Sequence, residues 1–209
     1  MVLPLQFQHH FIEVKYFLNS YRAMSDGEVG IRLLEEKLAE ETFLFSDWKI
    51  LWIGACSILR TSIDLFKIDE KSCINAEIRK SIGEEWKLIK DQEEKHPIFW
   101  KFLRKERDQI LHEYSWSAYA AWLHQDGTIE TPRISLLLIK PETSNSVLLM
   151  KHGFYQGRNS LELLKEGADW VRQRIFSAIE RAGFDPNEQR RLGDFQQRIP
   201  LGKESSSIF

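Results

Sequence analysis

The stretch from Trp48 to Phe66 constrains the fold more than any other part of the chain. Wound as a helix it is apolar on nearly every face, and such a helix has to sit in the middle of other elements. Lys49, Arg60 and Asp64 interrupt it, and those charges argue for a buried core helix over a membrane span. Ser46-Asp47 supplies an N-cap, so the predicted helix runs from about Trp48 to Lys67. The full chain, 209 residues, suffices for one domain, or one domain with an appendage, around a sizeable core.

On either side the apolar spacing predicts further helices. Phe11, Val14, Leu18 and Tyr21 mark a first amphipathic helix over about Phe7 to Met24, which Ser25-Asp26-Gly27 is expected to break. Leu33, Leu34 and Leu38 mark a second, over about Val29 to Glu41. Beyond a polar loop at Ile68 to Cys73, a fourth helix is predicted from about Asn75 to Lys90. Pro97 then suits the first turn of a fifth, Ile98 to about Tyr114.

After Tyr114 the pattern changes. Trp116 to Leu123, Ile129 to Ile139 and Val147 to Tyr155 are rich in aromatic and β-branched residues, with turn signals at Asp126-Gly127 and Pro141 to Ser146. This predicts a small antiparallel β-meander. Asn159 and Glu162 resemble a capping box opening a last helix to about Ala182, with Gly183 as its C-cap. The expectation is a mainly α protein. A helical bundle fills residues 1–183, with a β insertion at about 116–155 before the last helix, and residues 184–209 form a C-terminal tail or arm.

Charge and cysteine usage narrow the function. Lysine and arginine total 29 against 31 acidic residues, a net charge of −2, so the chain has no global attraction to nucleic acid or anionic lipid. Any phosphate-binding surface must be local. Cys56 and Cys73 lack ligand-like spacing, and Cys56 inside the apolar helix reads as a buried reduced thiol. Met1 to Phe11 lacks the basic start and continuous apolar stretch of a secretory signal, so a cytoplasmic location without membrane contact is expected.

Several polar groups bear on chemistry. Ser57, Arg60 and Asp64 lie three and four residues apart on one face of the central helix. That stripe is either a solvated edge with an Arg60–Asp64 pair or the lining of a cleft. His9-His10 lie at a frayed start, and His124 and His152, which could neighbour each other, have no Cys or carboxylate at ligand spacing, so all are weak candidates for a metal. No glycine-rich phosphate loop, nucleophile elbow or zinc-finger spacing occurs.

The informative segment is Arg107-Asp108-Gln109-Ile110-Leu111-His112-Glu113-Tyr114. An arginine followed by a small polar residue, with a histidine after a gap of four, resembles the signature of the HEPN family of helical-bundle domains. Arg107, Asp108 and His112 match it residue by residue, and the central helix looks like the family's core helix. The resemblance covers about Trp48 to Tyr114 and leaves out the β insertion. It implies a phosphate-directed site, since many HEPN proteins are metal-independent endoribonucleases whose cleft forms between two protomers.

That chemistry makes sense of the residue types. The RNA 2′-hydroxyl attacks the adjacent phosphate, a histidine moves the proton, and an arginine neutralises the transition state. The resemblance gives Arg107 and His112 the catalytic roles, with Asp108 orienting or tuning them. It makes Tyr114, Arg60 and Asp64 supporting residues, with Lys101 and Lys105 as a local basic patch. No cofactor is implied. The partners implied are a second copy of the chain and RNA, with an antitoxin-like protein if the setting is toxin or phage defence. The rival expectation is a non-catalytic module that keeps the bundle and holds a partner through the β insertion.

Helical geometry adds a condition. Five residues at about 100° each put Arg107 and His112 about 140° apart on a straight helix. His112 then shares a face with Lys101, Lys105 and Asp108, while Arg107 lies nearer Phe99, Leu103, Ile110 and Tyr114. Both reach one phosphate only if Arg107 bends round, the helix is distorted, or the two act across a dimer.

Overall fold

In the computed structural model, which describes residue 7 and residues 9–132 and 137–195, the chain enters through β1 (Phe11–Glu13) and a 3-10 turn (Val14–Phe17). Five α-helices follow: α1 (Asn19–Ala39), α2 (Phe45–Ser72), α3 (Ala76–Asp91), α4 (Arg104–Glu113) and α5 (Ser160–Arg181). A π-helical segment, Ile98–Leu103, leads into α4. The remaining strands are β2 (Thr42–Leu44), β3 (Ala118–His124), β4 (Ile129–Glu130), β5 (Leu137–Ile139), β6 (Ser144–Met150) and β7 (Gln189–Arg191).

The protein is thus mainly helical with small antiparallel sheets, and α2 occupies its centre. Trp48, Trp52, Cys56, Leu59, Ile63 and Phe66 on α2 are fully buried against the neighbouring helices. The α2 helix is longer than predicted and starts at Phe45 rather than after a Ser46 cap. Asp47, in its first turn, accepts the Leu44 N–H at 3.3 Å instead. Both cysteines are buried and free, and burial pushes the Cys56 thiol well up, with nearby Glu106 adding to the effect.

The two helices predicted before residue 41 are one. α1 runs without a break through Ser25-Asp26-Gly27, because Gly27 is spent on close packing rather than on a turn. A Cβ there would stand 2.7 Å from Leu59 Cδ2, and one at Gly30 would stand 3.6 Å from Ala55 Cβ. A helical glycine costs ~1 kcal/mol relative to alanine. Here Met24, Ile31 and Leu34 are buried in return. The start of α1 is not Phe7 but Asn19, and its free N–H groups are met from a distance. The fully buried Asp69, near the end of α2, accepts from Asn19 N (3.2 Å) and Ser20 N (2.9 Å), and also from Ser20 Oγ (2.7 Å).

Strands also depart from the expected meander. β3 lies between β4 and β6, with Ala118 opposite Met150 and His124 opposite Ser144. β5, expected as part of the same sheet, pairs instead with β2, Phe43 opposite Leu138. The predicted strand Ile129 to Ile139 includes residues 133–136, which lie outside the described residues. A further sheet joins β1 to β7, Phe11 opposite Arg191. Strands therefore occur outside Trp116 to Tyr155, and none lies within α2. The segment read as a tail contributes β7 and a 3-10 turn, while residues 196–209 lie outside the described ones. Among the described residues no helix is long and apolar enough to cross a membrane.

Candidate functional site

The helix carrying Arg107 and His112 is not uniform. Ile98–Leu103 winds as a π-helix after His96, whose carbonyl accepts from both Phe99 N and Trp100 N at 3.1 Å. Regular α geometry resumes at Arg104 and ends at Tyr114, which adopts a left-handed conformation at φ 49°. The distortion therefore precedes the Arg107–His112 interval and does not rotate the two toward each other. They stay about 140° apart around α4.

One side of α4 faces the core. Leu103, Glu106 and Ile110 are buried there, and Glu106 Oε1 accepts from Trp52 Nε1 at 3.0 Å and Ser117 N at 2.7 Å. Asp108 stands on the opposite, outer ridge, and the other polar residues fall on two flanks beside it. Arg107 is half-buried on the first flank, its Nη1 donating to Asp108 Oδ1 at 2.9 Å. Arg104, on the same flank, approaches the other Asp108 oxygen at 3.9 Å and lies over the Trp100 ring. His112 is exposed on the second flank.

The first flank continues onto α2. Arg60 pairs with Asp64 at 2.6 Å and lies over the Phe99 ring, 5.3 Å from its centroid. That ion pair is off the line of a hydrogen bond, so the buried Nε and Nη1 of Arg60 lack a hydrogen-bond acceptor. Lys67 sits 4.2 Å above the Trp86 ring. Burial pulls its ammonium below the ordinary lysine range, and Arg60, Arg104 and Lys90 add to this against Asp64. Cations are thus gathered around Trp86, Phe99 and Trp100, and Arg104 links this group to Arg107 through their shared Asp108. Tyr114, placed by simple helical counting near Arg107, is turned outward by its left-handed backbone and is 66% exposed, with Lys49 over its ring.

The second flank faces the β insertion. Lys101 and Lys105 line a cleft of about 220 Å³ with Gln109, Ser117, His152 and Phe154. His112 lies about two helical turns beyond Lys105 on nearly the same meridian. The structure thus brings Lys101 and Lys105 together, keeps His112 on their side, and sets Arg107, Arg60 and Asp64 on the other.

Other sequence candidates do not assemble. His124 pairs with Glu130 at 3.1 Å at one end of β3, while His152 follows β6 at the opposite end, so the two are not neighbours. Among the described residues no three His, Cys, Asp or Glu side chains form a metal-holding group. No sequence pattern singles out the buried His96. Its Nδ1 accepts from Trp170 Nε1 at 3.2 Å, a partner 74 residues away that local spacing does not reveal. The same holds for buried Glu85, which holds Arg174 at 2.8 Å and Arg181 at 2.6 Å. No family model matches this chain, and neither does any curated protein or solved structure.

Proposed function

We propose that this protein is a HEPN-like, metal-independent endoribonuclease that acts as a homodimer, with Arg107 and His112 meeting across the interface. The observation that carries this reading is the placement of Arg107 and His112 on opposite flanks of one surface ridge of α4. A single protomer offers one phosphate either the guanidinium or the imidazole. Two ridges packed against each other offer both. Leu111 (57% exposed) and Tyr114 give the ridge an apolar contact for the second copy.

In such a cleft His112 takes the proton from the RNA 2′-hydroxyl, whose oxygen attacks the neighbouring phosphorus. The bond to the 5′-oxygen breaks as that oxygen takes the proton back from the His112 imidazolium, leaving a 2′,3′-cyclic phosphate and a 5′-hydroxyl. Arg107 stabilises the charge on the phosphoryl oxygens, with Asp108 fixing its direction. A toxin or phage-defence role, with an antitoxin-like partner, fits this chemistry.

A second reading rests on the Arg107–Asp108 ion pair. An arginine already neutralised by its neighbour suits a non-catalytic interaction module that keeps the same bundle. The two readings separate on single-stranded RNA. The nuclease cuts in the presence of EDTA. His112→Ala is expected to lower cleavage by ~10²–10⁴-fold without changing the fold, and Arg107→Ala to weaken both cleavage and RNA binding. Wild-type protein that cuts no RNA, together with a destabilised His112→Ala, would falsify the nuclease reading.

A further inference from the structure

We infer that the cleft between the π-helical segment, α4 and the turn after β6 binds a nucleotide of single-stranded RNA, with its phosphate on Lys101 and Lys105 and its base on Phe154. The inference rests on the reading of RNA as substrate, and it adds a subsite that the Arg107–His112 motif does not contain.

Charge comes first. Lys101 and Lys105 are both exposed at the cleft, and among the described residues neither has an ion-pair partner. Lys15, Lys37 and Lys165 are the described lysines that form ion pairs, so what sets Lys101 and Lys105 apart is that both line one cleft. His152 adds a third nitrogen base at the rim. Glu106 is the carboxylate among the lining residues, and it is buried and tied to Trp52 and Ser117. Two unpaired ammonium groups at one concave site favour an anion.

The aromatic wall comes second. One exposed phenylalanine on a surface needs no explanation. Phe154, however, is 67% exposed at the tip of a closed turn, not on a loose loop. Met150 N donates to Arg158 O at 3.0 Å and Gly157 N to Met150 O at 2.8 Å, while Gly153 and Gly157 take the positive φ values (89° and 79°) that the turn requires. The Phe154 ring stands edge-on to Tyr155 with centroids 4.8 Å apart, and Tyr155 stands edge-on to Phe102 at 6.2 Å. The ring is propped from behind, as a base-stacking platform must be.

Size and direction complete the case. A cleft of about 220 Å³ is below the ~300–1,000 Å³ usual for whole small-molecule ligands, which favours one unit of a strand over an enclosed cofactor. Lys105, Gln109 and His112 fall within about 60° of one another around α4, and His112 lies only about 10.5 Å further along its axis. A strand seated in the cleft therefore continues toward the imidazole. Unstacked bases on aromatic faces, with lysines tracking phosphates, are how proteins hold single strands.

The test uses the full chain carrying His112→Ala, so that the strand stays intact. A fluorescein-labelled single-stranded RNA dodecamer is titrated by anisotropy over a range of salt. Phe154→Ala is expected to weaken binding roughly five- to a hundredfold, with Phe154→Trp restoring it. Lys101→Ala with Lys105→Ala is expected to flatten the slope of log affinity against log salt by about 1.4. All four positions are exposed, and circular dichroism checks that each variant folds. No RNA binding by the parent, or unchanged affinity and slope in the cleft variants, overturns the subsite. So does displacement of the strand by micromolar adenosine monophosphate, which would make a free nucleotide the occupant. Cleavage is scored separately with His112 present. Cleft-dependent binding by a chain that never cuts supports the subsite and removes the nuclease reading alone.

Discussion

His96 is 8% exposed, and its Nδ1 is the acceptor for the Trp170 indole N–H. Burial lowers its pKa, and Arg174 lowers it further, against Glu85 and Glu94. Protonating Nδ1 would also remove the acceptor that Trp170 uses. The unfolded chain, with an ordinary histidine near 6.5, therefore binds more protons than the folded one as pH falls past that value. The stability that neutral His96 supplies is fully present above about pH 6.5 and is lost progressively below it. Urea unfolding at pH 5 to 7.5 is expected to show this loss, and His96→Gln to show a shallower one. Parallel pH profiles for the two proteins would refute it. At this scale the sequence is informative wherever partners are close. The four-residue spacing of Arg60 and Asp64 places them together, and counting about 100° per residue separates Arg107 from His112. Glu85 and Asp69 are opaque because the side chains and N–H groups they hold stand 49 to 96 residues away, and Glu106 because Trp52, one of its two partners, stands 54 away.

Among the elements, the long apolar helix is legible because apolar residues on most of its faces call for burial among other elements, although Ile50 stays 64% exposed. The break expected at Ser25-Asp26-Gly27 does not occur, because glycine carries two meanings, a turn or a close approach, and only the neighbour decides. Gly54, where an added Cβ would meet nothing within 4 Å, separates those meanings by experiment. Gly54→Ala in the interior of α2 is expected to stabilise by up to ~1 kcal/mol, or about 2–4 °C in melting temperature. Gly27→Ala gains the same propensity but drives its methyl into Leu59, and its net effect is expected to be a lower melting temperature. Equal shifts for both would mean that the α1–α2 contact is looser than the 2.7 Å approach implies. Short strands are the least legible elements. β2 and β7 have three residues each, and their partners β5 and β1 lie far along the chain, so no alternating run announces them.

For the whole molecule, the proposed composite site requires two chains to meet on the α4 ridge. Sedimentation at micromolar concentration is expected to give about twice the 24.7 kDa of one chain. Leu111→Asp, at an exposed position, is expected to return it to one chain and to abolish cleavage without unfolding it. A monomeric wild type would remove the composite site, since one protomer keeps Arg107 and His112 on separate flanks. The β1–β7 pairing bears on a different matter, the order in which a nascent chain can assemble. Phe11–Glu13 is translated before its hydrogen-bonding partner, Gln189–Arg191, which is made about 180 residues later. Val14 N waits likewise for the Glu188 carbonyl, and the Leu192 N–H reaches back to that of His10. Vectorial synthesis can thus settle α1 to α4 around α2 first, while Phe11–Glu13, though translated before them, finds its partner only once β7 has been made.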